Sequence, residues 1–106
     1  MSISTHVLDA VAGRPAAGVA VQLHRSDPDG WTPLAVGYTD GDGRIADFGA
    51  PVQVGVYRLT FASEEYFDVE TFYPAVSVTF RVSDPTRHLH VPLLLSPFAY
   101  STYRGT

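Results

Sequence analysis

Along most of this chain apolar and polar residues alternate one by one, in short runs that glycine and proline interrupt, and that pattern admits little besides an antiparallel β-fold. Val19, Val21 and Leu23 fall on one side of an extended segment, with Ala20, Gln22 and His24 on the other. Tyr57, Leu59 and Phe61 oppose Arg58, Thr60 and Ala62 in the same way. The clearest run sets Val76, Val78, Phe80 and Val82 against Ser77, Thr79, Arg81 and Ser83. A slip of one residue there would turn four large apolar groups into water, so its register is fixed.

Between the runs lie turn chemistries: Ala12-Gly13-Arg14-Pro15, Asp27-Pro28-Asp29-Gly30 and Asp40-Gly41-Asp42-Gly43. Strands are expected near residues 4–10, 18–25, 33–39, 44–48, 55–62, 74–83, 87–95 and 98–104. The segment from Ser63 to Asp68 reads as one short helix, with Ser63 as its cap and Glu64 and Glu65 at the positive end of the dipole. Eight strands and a helix predict an all-β sandwich of two four-stranded sheets. At 106 residues, 1–106 reads as one domain. A chain of this size buries only about 60 to 70% of its unfolded surface, which favours a subunit interface.

Charge and composition remove several classes of function. A formal net charge of −4 and only seven Lys and Arg, scattered along the chain, do not suit a nucleic-acid or anionic-membrane surface. No apolar run has the length of a signal core or a membrane span. With no cysteine there is neither a disulfide framework nor a thiolate metal site. A soluble, cytoplasmic protein is the expectation.

Two strands depart from simple alternation. In the first, Val7 points one way and His6 and Leu8 the other. In the seventh, Leu89, Val91, Leu93 and Leu95 oppose His88, His90, Pro92 and Leu94. Faces that mix histidine with apolar groups suit a second subunit better than open water.

The four histidines are the natural candidates for chemistry near neutral pH. His24 lies on the polar face of its strand and reads as solvated. His88 and His90 share a face, about 7 Å apart along one strand. If the first and seventh strands are neighbours, His6 approaches His90, and the two could take a proton from water. Two other readings stay open: the histidines fill an interface, or His6, His88 and His90 ligate zinc with an open water position. Asp40-Gly41-Asp42-Gly43 is too short for a calcium loop and reads as a tight turn. Arg44 follows it at the start of a strand, where a guanidinium could hold a carbonyl or an oxyanion. Tyr103, Arg104, Gly105 and Thr106 form a donor-rich ending that by default would fray.

Five segments then resemble one family: Ser4-Thr5-His6-Val7-Leu8-Asp9, Asp42-Gly43-Arg44, Phe72-Tyr73-Pro74, His88 through Pro97, and Tyr100 through Thr106. Together they are similar to the 5-hydroxyisourate hydrolases of the transthyretin-related family, over essentially the whole chain. The resemblance implies a transthyretin-like sandwich assembled as a homotetramer, a dimer of dimers, with sites in a channel between dimers. It implies catalytic roles for His6, Arg44 and His90, substrate contacts from Tyr103, Arg104, Gly105 and Thr106, and a supporting role for His88. It further implies a small-molecule substrate; no cofactor is expected, and no metal, since the charge stabilisers are arginines and no carboxylate accompanies the histidines. The family ending usually closes on serine, where this chain has Thr106, which keeps the hydroxyl and adds a methyl. A small-molecule carrier on the same fold is the alternative, but transthyretin lacks this set of His, Arg and His. A structural β-domain would explain only the Gly13 to Leu23 segment and the glycine-rich turn.

Overall fold

The computed structural model describes residues 2–106. Nine strands and one helical turn follow in order: β1 (Ile3–Asp9), β2 (Arg14–Pro15), β3 (Ala20–Asp27), β4 (Gly30–Tyr38), β5 (Arg44–Ile45), β6 (Gly55–Phe61), α1 (Ser63–Tyr66), β7 (Val76–Val82), β8 (Leu89–Leu95) and β9 (Tyr100–Thr102). The expected sandwich is present. One sheet runs β4-β3-β6-β7, and the other runs β2-β1-β8-β9 with β5 also paired to β1. The two-residue β2, which the alternation could not reveal, adds a fifth strand to that second sheet by pairing Leu8 with Pro15 and Asp9 with Arg14.

The alternation becomes the core. Val21, Leu23, Tyr57, Leu59, Phe61, Val76, Val78 and Val82 are buried from one sheet, with Val19 just before β3; Ile3, Val7, Val91, Leu93 and Leu95 are buried from the other. Each large apolar side chain removed from water in this way contributes about 1.5–3 kcal/mol. Phe80 is only half-buried and stacks on Tyr57 at 6.2 Å between ring centroids. In β4 the register shifts so that Leu23 pairs with Ala35 and His24 with Pro33, which leaves Leu34 as the extra residue of a bulge. Leu34 and Ala35 therefore both pack against the core, where strict alternation would send one outward.

Three local expectations change. Ser63 does not cap α1: its hydroxyl donates to the Tyr73 carbonyl at 2.8 Å, and the helix has no side-chain cap. His24 is half-buried rather than solvated, and its Nδ1 is buried without a hydrogen-bond partner. Its cross-strand neighbours are Pro33 and Arg58, and the Arg58 guanidinium lies 4.3 Å from the centroid of the Trp31 ring, so this part of the sheet is roofed by side chains. Pro92 is buried within the subunit, while Leu8 and Leu94 on the same face are half-buried. Among the described residues no helix is long and apolar enough to cross a membrane.

Candidate functional site

Among the described residues every sheet pairing but one is antiparallel. The exception is β1 with β8, whose parallel register sets Ser4 opposite His90 and His6 opposite Pro92. Residues two apart on a strand share a face, so Ser4 and His6 look out on the same side as His90. On the other edge of β1 the short β5 pairs His6 with Arg44. The expected approach of His6 to His90 is thus a consequence of strand order, and Arg44 joins the same row.

The turn before β5 holds that row in place. The Asp40 carboxylate accepts the backbone N–H groups of Asp42 at 2.9 Å and Arg44 at 3.0 Å. The Arg44 N–H, above all, keeps this carboxyl below its ordinary range. Gly43 has φ +77°, and a Cβ there would lie 2.5 Å from the Val7 carbonyl oxygen, so only glycine lets the turn close against β1. Two bonds result: Val7 N–H donates to the Gly43 carbonyl at 2.7 Å, and the His6 Nε2–H donates to the Asp42 carbonyl at 2.9 Å. With its proton on Nε2, neutral His6 carries its lone pair on Nδ1.

His90 is half-buried and tied on both sides. Its Nδ1 is 2.7 Å from the Ser4 hydroxyl, which also lies 2.7 Å from His88 Nε2, and His88 Nδ1 in turn meets the hydroxyl of Ser2. Burial, with the nearby charges of His6, His88 and Arg44, lowers the His90 pKa and favours the neutral ring. The chain ending does not fray at Gly105: its N–H donates to the His90 carbonyl at 2.9 Å, and the two residues form a bridge.

Two hollows meet at His90. One, of about 320 Å³, is lined by Ser4, Arg44, His88, His90 and Thr106. The other, of about 540 Å³, lies along β7 and takes Phe80, Arg81 and Leu89 together with His90, Tyr103 and Arg104. Of the site residues expected from the sequence, Tyr103 and Arg104 lie on one side of this imidazole and Arg44, His88 and Thr106 on the other, whereas His6 and Gly105 line neither hollow: His6 is paired with Arg44 and bonded to the Asp42 carbonyl, and Gly105 is bonded to the His90 carbonyl. Among the described residues no three side chains of His, Cys, Asp or Glu come together as a metal-binding set. Ser4 was missed as a site residue. Its signal was its place on the His6 face of β1, which has meaning only once β8 is known to be the neighbour.

This arrangement can take up a proton at a neutral imidazole and hold negative charge beside a guanidinium, which is the equipment for adding water to a carbonyl. The chain is also similar to known proteins over nearly all of its length. The model of the HIUase/Transthyretin family matches residues 3–105. A 5-hydroxyisourate hydrolase of Salmonella dublin is 45% identical over 98% of this chain and 80% of its own length. The structure of Klebsiella pneumoniae 5-hydroxyisourate hydrolase superposes with a TM-score of 0.88 at 37% identity, covering all of both chains. Transthyretin from Sparus aurata superposes with a TM-score of 0.91 at 33% identity, over 98% of this chain and 96% of that one.

Proposed function

The chain belongs to the HIUase/Transthyretin family, and from that membership together with its site we infer that it hydrolyses 5-hydroxyisourate. The observation that carries the reading is the convergence of His6, Arg44 and the Ser4-bound His90 where β1, β5 and β8 adjoin. A carrier needs the hollow but has no use for a base held in one tautomer beside an arginine. The relatives of this chain at 42–45% identity named as hydrolases likewise support the enzyme and not the carrier alternative.

In the mechanism, a water held between neutral His6 and His90 loses a proton to an imidazole as its oxygen attacks a ring carbonyl. The C–N bond to that carbonyl then breaks and the ring nitrogen takes up a proton, so that the cyclic amide becomes a carboxylate and a ureido group. That product is 2-oxo-4-hydroxy-4-carboxy-5-ureidoimidazoline, a step of urate breakdown. Arg44 and Arg104 hold substrate carbonyls and stabilise the developing oxyanion, a role worth about 3–4 kcal/mol per donor at such sites. Tyr103, Gly105 and Thr106 shape the ring's seat. No covalent intermediate, cofactor or metal takes part.

The working form is a homotetramer, a dimer of dimers. Strands β7 and β9 are free sheet edges in a single copy, and residues from both strands line the larger hollow. Tyr100 of β9 and Tyr103 just beyond it are exposed at 41% and 56%, which suits coverage by a second copy. The whole chain acts as a single domain in the cytoplasm. The direct test of the activity is to add the protein to freshly generated 5-hydroxyisourate and follow the ultraviolet decay. Decay faster than the spontaneous reaction is expected, and decay no faster than without protein would overturn the reading.

A further inference from the structure

Ser4 and His88 have a place in the hydrogen-bond chain that positioning alone does not require. The chain runs from Ser2 through His88 and Ser4 to His90, alternating hydroxyl and imidazole, with Ser4–His88 and Ser4–His90 separations of 2.7 Å each. Ser4 is buried, so its hydroxyl has these two ring nitrogens in place of bulk water, whereas His88 is exposed and Ser2 half-buried.

A hydroxyl has one hydrogen to donate, so the links are not independent. If His90 is to act as a base through Nε2, its own proton sits on Nδ1 and is donated to Ser4 Oγ. Ser4 then donates to His88 Nε2, and His88 donates from Nδ1 to Ser2. The reverse orientation turns every link around: Ser2 donates to His88 Nδ1, His88 Nε2–H to Ser4, and Ser4 to His90 Nδ1. His90 then carries its proton on Nε2 and is an acid. The two orientations differ by one proton passed along the row. We propose that Ser2, His88, Ser4 and His90 form a proton relay, by which the proton taken from the attacking water reaches the protein surface and one is returned to the leaving ring nitrogen.

This rests on the hydrolase reading for its substrate. The steps balance. Water's O–H bond breaks as His90 Nε2–H forms, and the electron pair of that bond goes into the new bond to the carbonyl carbon. The Nδ1 proton of His90 passes to Ser4 Oγ, the former Ser4 proton to His88 Nε2, and the Nδ1 proton of His88 to Ser2, whose own proton leaves to solvent. When the C–N bond breaks, its electron pair stays on nitrogen, and the same row run backwards supplies the proton. The row thus returns to its base orientation with no net uptake. His6 from β1, Arg44 from β5 and His88 from the residue before β8 each disfavour an imidazolium at His90, which would drive the proton onward, while Arg81, Asp84, Arg87, Tyr103 and Arg104 line the larger hollow on its other side.

Two measurements test the relay. Nitrogen NMR of histidine-labelled wild-type protein at neutral pH should find the proton of both His90 and His88 on Nδ1; His90 protonated on Nε2 at rest would overturn the proposal. Rates of 5-hydroxyisourate decay in mixtures of light and heavy water come second. The wild type should show a bowed dependence on deuterium fraction, because several protons move together, while Ser4→Ala and His88→Gln should show a straight one. Each substitution should lower kcat by at least about 10-fold with KM little changed, since general acid and base steps contribute roughly 100-fold and more. The exposed His88 can be replaced without disturbing the core, so a Ser4→Ala protein that failed to fold would leave His88→Gln to decide. An unchanged bowed dependence in His88→Gln would sink the relay while the hydrolase reading stood. A wild type that did not accelerate the decay would sink the hydrolase reading, and the NMR result would still decide the orientation of the row.

Discussion

Gly105 packs closely against the side chain of His90: a Cβ at Gly105 would stand 2.5 Å from His90 Cδ2 and 3.1 Å from Cγ. The glycine bonds to His90 through the main chain while leaving its ring no room on that side. Gly105→Ala must therefore push the ring away from Ser4 or break the bridge. Turnover should fall by about 10-fold or more, because a shift of one ångström in a reacting group is enough for a loss of that order. The melting temperature should change little, since both partners lie at the rim of the fold. A variant with wild-type kcat would show that the orientation of His90 is immaterial.

Replacing either base should be costly, and replacing both hardly more so. His90→Asn and His6→Asn are each expected to reduce turnover by about 100-fold or more. The double variant should lie close to the weaker single one, because residues that act as a unit are not additive. His24→Asn is the control. It sits in the other sheet, and its effect should appear in the thermal melt and not in the rate. Equal activity in His90→Asn and His24→Asn would rule out the histidine pair.

Acid should slow the enzyme, and later than for an ordinary histidine. Burial and the charges of His6, His88 and Arg44 all favour neutral His90, so its midpoint lies below the usual 6.5. The base form is then present above that midpoint and lost as pH falls through it. The profile of kcat/KM against pH checks this, and a midpoint above 6.5 assigned to His90 would contradict it.

Stability has its own polar anchor. Buried Asp9 accepts the N–H groups of Val11 and Ala12 and the hydroxyl of Tyr66, the last at 2.8 Å, fastening β1 and its turn to α1. Burial pushes the Asp9 carboxyl up, but the bonds from Ala12, Tyr66 and Val11, with the Arg14 charge, together hold it below 3.8. A lowered carboxyl stabilises the fold above its unfolded value and loses that contribution as pH falls through the folded one. Tyr66→Phe should therefore cost about 1 kcal/mol at neutral pH. That corresponds to roughly 4 °C in the melting temperature. The difference from wild type should shrink toward pH 3; a constant gap would mean that packing, not the carboxylate, sets the cost.

Assembly should be visible directly. Sedimentation at micromolar concentration should report four chains of 11.5 kDa. A fully active monomer would separate the chemistry from the interface between copies.

Much of this architecture was legible in the alternation, because burying one face of a strand leaves a period-two trace that survives any later rearrangement. The core residues of β3, β6 and β7 could be read that way, as could the shared face of His88 and His90. What could not be read depends on contacts without a local signature. The two residues of β2 are too few to show a period, the bulge at Leu34 is set by the partner strand, and Ser63 spends its hydroxyl on Tyr73 instead of a helix end. In the site, His6, Arg44 and His90 are legible as residue types able to move protons or hold charge. Ser4 is not, since an isolated serine on a strand acquires a role only from the two rings that face it.

The parallel pairing of β1 with β8 joins residues 86 positions apart, and no intermediate strand can stand in for either. The whole of the intervening chain must be closed into a loop before the pair gains anything, which makes this among the slowest contacts to form. On the ribosome β1 emerges with its polar row unmet, and β8 follows only after β2 to β7 and α1. A nascent chain can thus hold a folded β4-β3-β6-β7 sheet before the candidate site exists: a chain stalled before Leu89 lacks the strand that carries His90, and no hydrolysis is expected from it.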